Sequence, residues 1–302
     1  MLIRAAVAGS RPRVRLPTPY LFVAPALVLT LFVMLYPLAY SLWISFTGYS
    51  LSTPGQVPFV GLENYVWAVQ NPSFGLSIWN TLVYTAGSVA LEFLLGLGFA
   101  LLLNKEFPLQ GIVRTILMLP LFLTPSIVAL VFLFMYYPGE GVLPWLASHA
   151  GMPRAFPFLG DPRSAMLSLI VVDVWRTTPF MFLVLLAGLQ SLPAEVLEAA
   201  AIDGASGRQT LRHITLPLLR PLILIAVTIR SMDAFREFDT IYLLTGGGPG
   251  QATEVISMLA YNTAFRYFDL GRASAVAYII LALVLGFSFF FVKRLREMQV
   301  ST

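Results

Sequence analysis

The 302-residue chain has no cysteine and only 2 histidines. The first absence excludes disulfides, thiolate metal sites and cysteine nucleophiles. His149 and His213 fall in loops on opposite sides of the hydrophobic segments, which argues against a histidine metal cluster or catalytic triad within one chain. Charge is also scarce: 11% of residues are charged, 58% are hydrophobic, and the mean hydropathy is +0.80. Such values point to an integral membrane protein rather than a water-soluble domain. There is no hydrolase motif and no Gly-x-x-x-x-Gly-Lys-Ser/Thr loop; the run Gly246-Gly247-Gly248-Pro249-Gly250 lacks the lysine such a phosphate cradle needs and reads as a tight turn. The chain is therefore expected to bind no ATP, cofactor or metal of its own and to perform no covalent chemistry.

What is abundant is long apolar runs. A hydrocarbon core of roughly 30 Å takes about 20 helical residues, because lipid requires every backbone amide to be satisfied internally. Six segments meet that length, near Tyr20–Phe46, Ser77–Leu103, Gly111–Tyr136, Ala165–Leu189, Leu218–Leu244 and Ala273–Val292. The expected fold is an all-α integral membrane protein of six transmembrane helices, with residues 20–292 as one membrane domain between tails 1–19 and 293–302. The first segment is too long for a cleaved signal and lacks a small-residue cleavage site, so it counts as a span. Arginine and lysine favour the cytoplasmic side. Arg4, Arg11, Arg13 and Arg15 precede span one, Lys105 and Arg114 follow span two, Arg208, Arg212 and Arg220 follow span four, and Lys293, Arg294 and Arg296 end the chain. Both termini are thus expected in the cytoplasm of a multi-pass cell-membrane protein. This inner fringe accounts for the net charge of +4, so no nucleic-acid partner is inferred from it.

A polar island, 190–217, separates spans four and five. Pro193-Ala194-Glu195 opens a helix with a proline and an acid in its first turn, where the helix dipole favours them, and small residues continue it through Ala201. Gly204 can take a left-handed conformation, and Ser206 can cap a second helix running to Pro217. An elbow with an alanine face suits a groove on a soluble partner. An amphipathic elbow resting on the inner leaflet is the other reading.

Glu198-Ala199-Ala200, three residues, Gly204, nine residues, Ile214, one residue and Leu216-Pro217 resemble the EAA loop of the permease subunits of binding-protein-dependent ABC importers. Leu189-Gln190-Ser191-Leu192-Pro193, Ala201-Ile202-Asp203-Gly204-Ala205, the stretch Phe238 to Pro249, Pro25-Ala26 and Tyr36-Pro37 are similar to the sugar-transporting branch, in particular to the first of two paired maltose- or trehalose-type permeases. The resemblance covers Tyr20 to the C-terminus; the extra N-terminal spans and large outer domain of the enterobacterial maltose permease are missing. It implies a heteromeric importer with a second permease subunit, two cytoplasmic ATPase subunits that bind ATP and Mg, and an extracytoplasmic sugar-binding protein. It also implies that Glu198, Ala199, Ala200, Asp203, Gly204, Leu216 and Pro217 form the ATPase-coupling element. Glu198 would pair with a basic ATPase residue and Gly204 would permit the turn that aims the helix.

Charges inside the spans are costly, about 2.5 to 3.5 kcal/mol at the bilayer centre, and usually face protein, water or ligand. Asp173 and Arg176, three apart, either neutralise each other or offer hydrogen bonds to sugar hydroxyls, with Trp175, Thr177 and Phe180 adding ring faces and a polar edge. Arg230, Asp233 and Glu237 form a helical stripe, flanked by Ser231, Arg236 and Asp239, that either lines a sugar path or holds the spans together by salt bridges. Glu92 in span two has no partner evident in sequence. Through the resemblance, fourth-span sugar contacts fall at Asp173, Thr177 and Phe180, and fifth-span contacts near Arg230, Ala234 and Glu237. The expected cargo is a neutral di- or oligosaccharide moved inward. A polyol or glycerol phosphate held by Arg176, Arg230 and Arg236 is an alternative. An ion-coupled secondary transporter fits less well, because no inverted repeat is evident.

Overall fold

The computed structural model describes residues 18–300 apart from residue 54, so the N-terminal arginines Arg4, Arg11, Arg13 and Arg15 lie outside the described residues. Helices appear in the order α1 (Thr18–Ser45), α2 (Glu63–Gln70), α3 (Pro72–Leu103), α4 (Gln110–Met118), α5 (Pro125–Met135), α6 (Val142–His149), α7 (Pro162–Gln190), α8 (Ala194–Ile202), α9 (Gly207–Thr210), α10 (Leu216–Phe235), α11 (Asp239–Leu244), α12 (Ile256–Phe265) and α13 (Leu270–Val300). No strand occurs among the described residues, only two isolated bridges. Five helices are long and apolar enough to cross a membrane, and a sixth span is formed if the bent pair Gln110–Phe122 and Pro125–Met135 is one.

Span three is therefore not the continuous helix expected over Gly111–Tyr136. Its halves meet at 99°. Pro120 draws Leu119–Phe122 into a 3₁₀ turn, and Pro125 forces Thr124 into extended backbone, with φ −68° and ψ 147°. The Thr124 hydroxyl then accepts from the Ile127 amide and starts α5 afresh. Span five also departs from expectation. It ends at Phe235 rather than near Leu244, and α11 is a separate short helix that packs against α5. The Glu237 carboxylate organises this junction by accepting from the Thr240 amide at 3.2 Å and hydroxyl at 2.8 Å.

The bundle is built around α3 and α7, whose pairing is the most extensive among the described residues. Their approach is set by Gly96: a Cβ there would lie 2.6 Å from Met181 Cβ and 2.9 Å from the Phe182 backbone nitrogen. Phe182, Leu185 and Leu189 of α7 then pack with Ala100 and Leu103 of α3 and Leu219 of α10. A larger cluster around Tyr84, Phe132, Leu169, Met181 and Ile241 joins α3, α5, α7 and α11. In membrane helices small residues at the contact replace the hydrophobic driving force that water would supply. By contrast, none of the apolar window of α1 is buried within the chain. Its far end is held by Asn64 of α2, which donates to the carbonyls of Ser45 at 2.9 Å and Thr47 at 2.8 Å.

Gly96 and Gly98 provide a paired test, since a Cβ at Gly98 would meet nothing within 4 Å. Gly96→Ala is expected to destabilise the α3–α7 pairing by about 1–3 kcal/mol, and Gly98→Ala to be neutral or slightly stabilising. Thermal unfolding of the purified variants in one detergent reads the difference; equal midpoints would show that the backbone approach at Gly96 is not limiting.

Candidate functional site

Arg230, 4% exposed and one turn from the end of α10, organises the interior of the bundle. Its Nε donates to Glu92 Oε2 at 2.7 Å and its Nη2 to Glu92 Oε1 at 2.7 Å, a bidentate pair across α10 and α3. The same Nη2 reaches Asp173 Oδ2 on α7 at 2.9 Å. Asp173 also accepts from Arg176 Nη2 at 3.0 Å, and that nitrogen donates to Glu237 Oε2 at 3.2 Å. The Thr177 hydroxyl lies 2.6 Å from both Glu92 Oε1 and the Asp173 carbonyl oxygen. Three carboxylates and two guanidiniums thus form one chain linking α3, α7, α10 and the α10–α11 junction.

Of the two readings of the sequence charges, the salt-bridge reading is realised in an extended form. Asp173 and Arg176 do pair, but each also has a partner from another helix, so they are links in a network rather than an isolated couple. Arg230, Asp233 and Glu237 do not share one straight helical stripe, because α10 stops at Phe235 and Glu237 folds back toward α7 and α11. Asp233 instead pairs with Arg236 at 2.8 Å, both more than half exposed or at that limit (50% and 58%). Glu92, without an evident partner in sequence, is fully buried beneath Arg230. The signal in the sequence is the cost of an acid alone in span two, which requires a cation from another span without naming it.

Above the network lies a cavity of about 460 Å³. Arg176, Thr177, Phe180, Arg230, Asp233 and Glu237, all sequence candidates, line it, as do Arg236, Phe238 and Asp239. Asp173 and Ala234 do not; the former is buried within the network and the latter in the core. The remaining wall is Leu121 and Pro125, one on each side of the break in span three. Irregular backbone at membrane depth is tolerated where it is buried in protein or lines a hydrated cavity. The break therefore marks the same place as the cavity.

At the other end of α10, α8 presents Glu198 and Ala199 outward while Ala200 is buried. Gly204 has φ +74°, and its amide bonds to the Ala201 carbonyl at 3.1 Å, closing the helix as the elbow reading expects. Asp203 is the C-cap, with its side chain exposed. Ser206 and Gln209 make a complete capping box for α9. Leu211–Thr215 is then a single π turn before Leu216 and Pro217 open α10. Pro217 has no N–H to give the His213 carbonyl, and its ring crowds that oxygen, which is sufficient cause for the widened turn.

A family profile described as "Binding-protein-dependent transport system inner membrane component" matches residues 92–301, from Glu92 through α13. A probable ABC transporter permease protein, y4oQ, of Sinorhizobium fredii is 42% identical over 287 residues, 94% of this chain and 92% of that protein. The trehalose/maltose transport system permease protein MalF of Thermococcus litoralis is 41% identical over 274 residues, 91% of this chain and 92% of that protein. Among solved structures, a chain of a bacterial ABC transporter involved in the import of the acidic polysaccharide alginate superposes with a TM-score of 0.80 at 26% identity, covering 93% of this chain and 95% of that one. With a backbone shared over nearly its whole length and relatives above 40% identity, the chain belongs to the family of binding-protein-dependent transport system inner membrane components and has the fold of an ABC importer permease.

Proposed function

We propose that the chain is the permease subunit through which an ABC importer passes a neutral di- or oligosaccharide of the trehalose or maltose kind into the cytoplasm. The observation that carries this reading is the cavity at the break of span three, where ring faces of Phe180 and Phe238 stand beside hydrogen-bonding groups of Thr177, Arg176 and Glu237. Sugars present both apolar faces and hydroxyl edges, so such a mixed wall suits them. An uncharged cargo is favoured because each cavity arginine is already engaged: Arg230 by Glu92 and Asp173, Arg176 by Asp173 and Glu237, Arg236 by Asp233. A phosphate held there would have to share each guanidinium with a carboxylate already in place. The 41% identity to a trehalose/maltose permease agrees with this, although the alginate importer shows that the fold also serves an acidic cargo.

On the same reading, both termini and the coupling loop face the cytoplasm, and the chain works with a second permease, two ATPase subunits and an extracytoplasmic binding protein. The ATPases hold ATP and Mg; this chain supplies none of that chemistry. Glu198, Ala199, Ala200, Asp203, Gly204, Leu216 and Pro217 transmit the closure of the ATPase dimer to α10. ATP favours the closed dimer, and that differential affinity shifts the spans between inward- and outward-facing states.

Three tests follow from this assignment. In proteoliposomes carrying the assembled transporter and its binding protein, labelled trehalose or maltose should accumulate with ATP and not with an ion gradient alone, and glycerol phosphate should not compete; gradient-driven uptake would exclude the ATPase-coupled mechanism. Gly204→Pro, which cannot adopt φ +74° and removes the amide bonded to Ala201, should leave membrane insertion intact but abolish the dependence of ATP hydrolysis on sugar-loaded binding protein. Unchanged coupled uptake in that variant refutes the docking role. Finally, Glu237→Ala should weaken uptake while the complex still assembles. Glu92→Ala should instead reduce the amount of assembled complex, since unpairing a buried ion pair costs about 3–5 kcal/mol. Equal assembly and equal uptake for the two variants would erase the distinction between cavity wall and frame.

A further inference from the structure

The charges around the main cavity are unequally engaged. Its three guanidiniums, of Arg176, Arg230 and Arg236, already face four carboxylates, those of Glu92, Asp173, Asp233 and Glu237. None of these cations is left for Asp239, which lines the same wall. Asp239 is exposed, and among the described residues it makes no salt bridge.

Its neighbours are committed elsewhere. The amide and hydroxyl of Thr240, the next residue in α11, are both given to Glu237 Oε1. Arg236, three residues earlier, donates through Nη2 to Asp233 at 2.8 Å and through Nε to the Met232 carbonyl at 3.1 Å. The start of α11 adds little, because a helix of 6 residues sums few peptide dipoles. A carboxylate without a counter-charge in a cavity of about 460 Å³ keeps its oxygens for a cargo, and its field is not cancelled as that of Asp233 is.

We propose that Asp239 is the specificity-determining residue of this cavity, a charge filter that accepts hydrogen bonds from cargo hydroxyls, turns away acidic sugars and admits amino sugars. Adjacent hydroxyls of a sugar ring can each donate to one oxygen of the carboxylate. A uronate or phosphate meets like-charge repulsion there, whereas an ammonium supplies the missing counter-charge. Thr177 and the aromatic rings of the wall offer contacts to a sugar of any charge, so they do not make this distinction. The filter rests on the sugar-permease reading and narrows its cargo to neutral and amino sugars.

The cysteine-free chain allows the field at Asp239 to be read without any sugar. In the assembled transporter in lipid nanodiscs, Leu121→Cys puts a thiol in the cavity wall, and mass spectrometry of this chain follows its reaction with a cationic and an anionic methanethiosulfonate. Adding Asp239→Asn is expected to lower the cation-to-anion rate ratio about tenfold at low salt and less at high salt, and Asp239→Glu to keep it. An unmoved ratio would overturn the role of Asp239. The same complexes, without binding protein, are then titrated with labelled maltose and with glucosamine- and glucuronate-containing disaccharides. Asp239→Asn should weaken binding of the amino sugar and strengthen that of the acidic one, each by about tenfold relative to maltose. Equal changes for all three sugars would overturn the charge selection. A rate ratio that moves while no disaccharide binds would overturn the sugar-permease reading itself, and the filter with it.

Discussion

A single guanidinium, that of Arg230, sets the terms for the rest of this bundle. It is buried against Glu92 and Asp173, from two other helices, and its Nε and Nη2 supply three contacts of 2.7 to 2.9 Å. Breaking such a group out of its partners inside a low-dielectric interior is far more costly than forming it is gainful. The network is therefore better understood as a geometric constraint than as a source of stability. It specifies which faces of α3, α7 and α10 meet, in a setting where apolar surfaces alone discriminate poorly because lipid tails are as apolar as leucine. The glycine contact at Gly96 acts with it: one brings the α3 and α7 backbones together, and the other registers α10 against both.

This arrangement gives the proposed coupling a mechanical route. The elbow that ends at Gly204 leads through a capping box and a π turn straight into α10, with Pro217 at the junction. On the proposed function, a displacement of α8 would reach α10 through this π turn, a backbone irregularity of the kind that clusters at functional sites. From that point onward α10 moves with Arg230, and Arg230 cannot move without disturbing Glu92 or Asp173.

The membrane class, the helical spans and the elbow were legible in the sequence because each rests on a local rule: apolar length, proline and acid at a helix start, glycine at its end. Gly204 and Ser206 were readable for the same reason. The break in span three was harder, since hydropathy is blind to bends, yet Pro120 and Pro125 carried the information. The end of span five at Phe235 had no comparable marker. No proline or glycine stands there, and the helix stops because Glu237 turns to satisfy Thr240 and Arg176, contacts made across the fold. The partner of Glu92 lies 138 residues away in the chain and no local rule could name it. Of the residues drawn from the resemblance to sugar permeases, Thr177, Phe180, Arg230 and Glu237 line the cavity, whereas Asp173 and Ala234 stand behind it. Alignment transfers positions along a helix face but not the depth at which a side chain ends.

Burial divides the charged groups around the cavity into two regimes. At the base, Arg230 and Glu92 are 5% and 0% exposed in their side chains; at the rim, Arg236 and Asp233 are 58% and 50% exposed. A pair open to water contributes about 0–1 kcal/mol and exchanges partners readily, while the buried pair does not. On the proposed function, changes in cargo would be easiest to accommodate at Asp233, Arg236 and Asp239, where a new side chain alters the field of the cavity without unsettling the frame. On the proposed function, cargo selectivity would then belong to the exposed rim of the cavity and helix registry to its buried base.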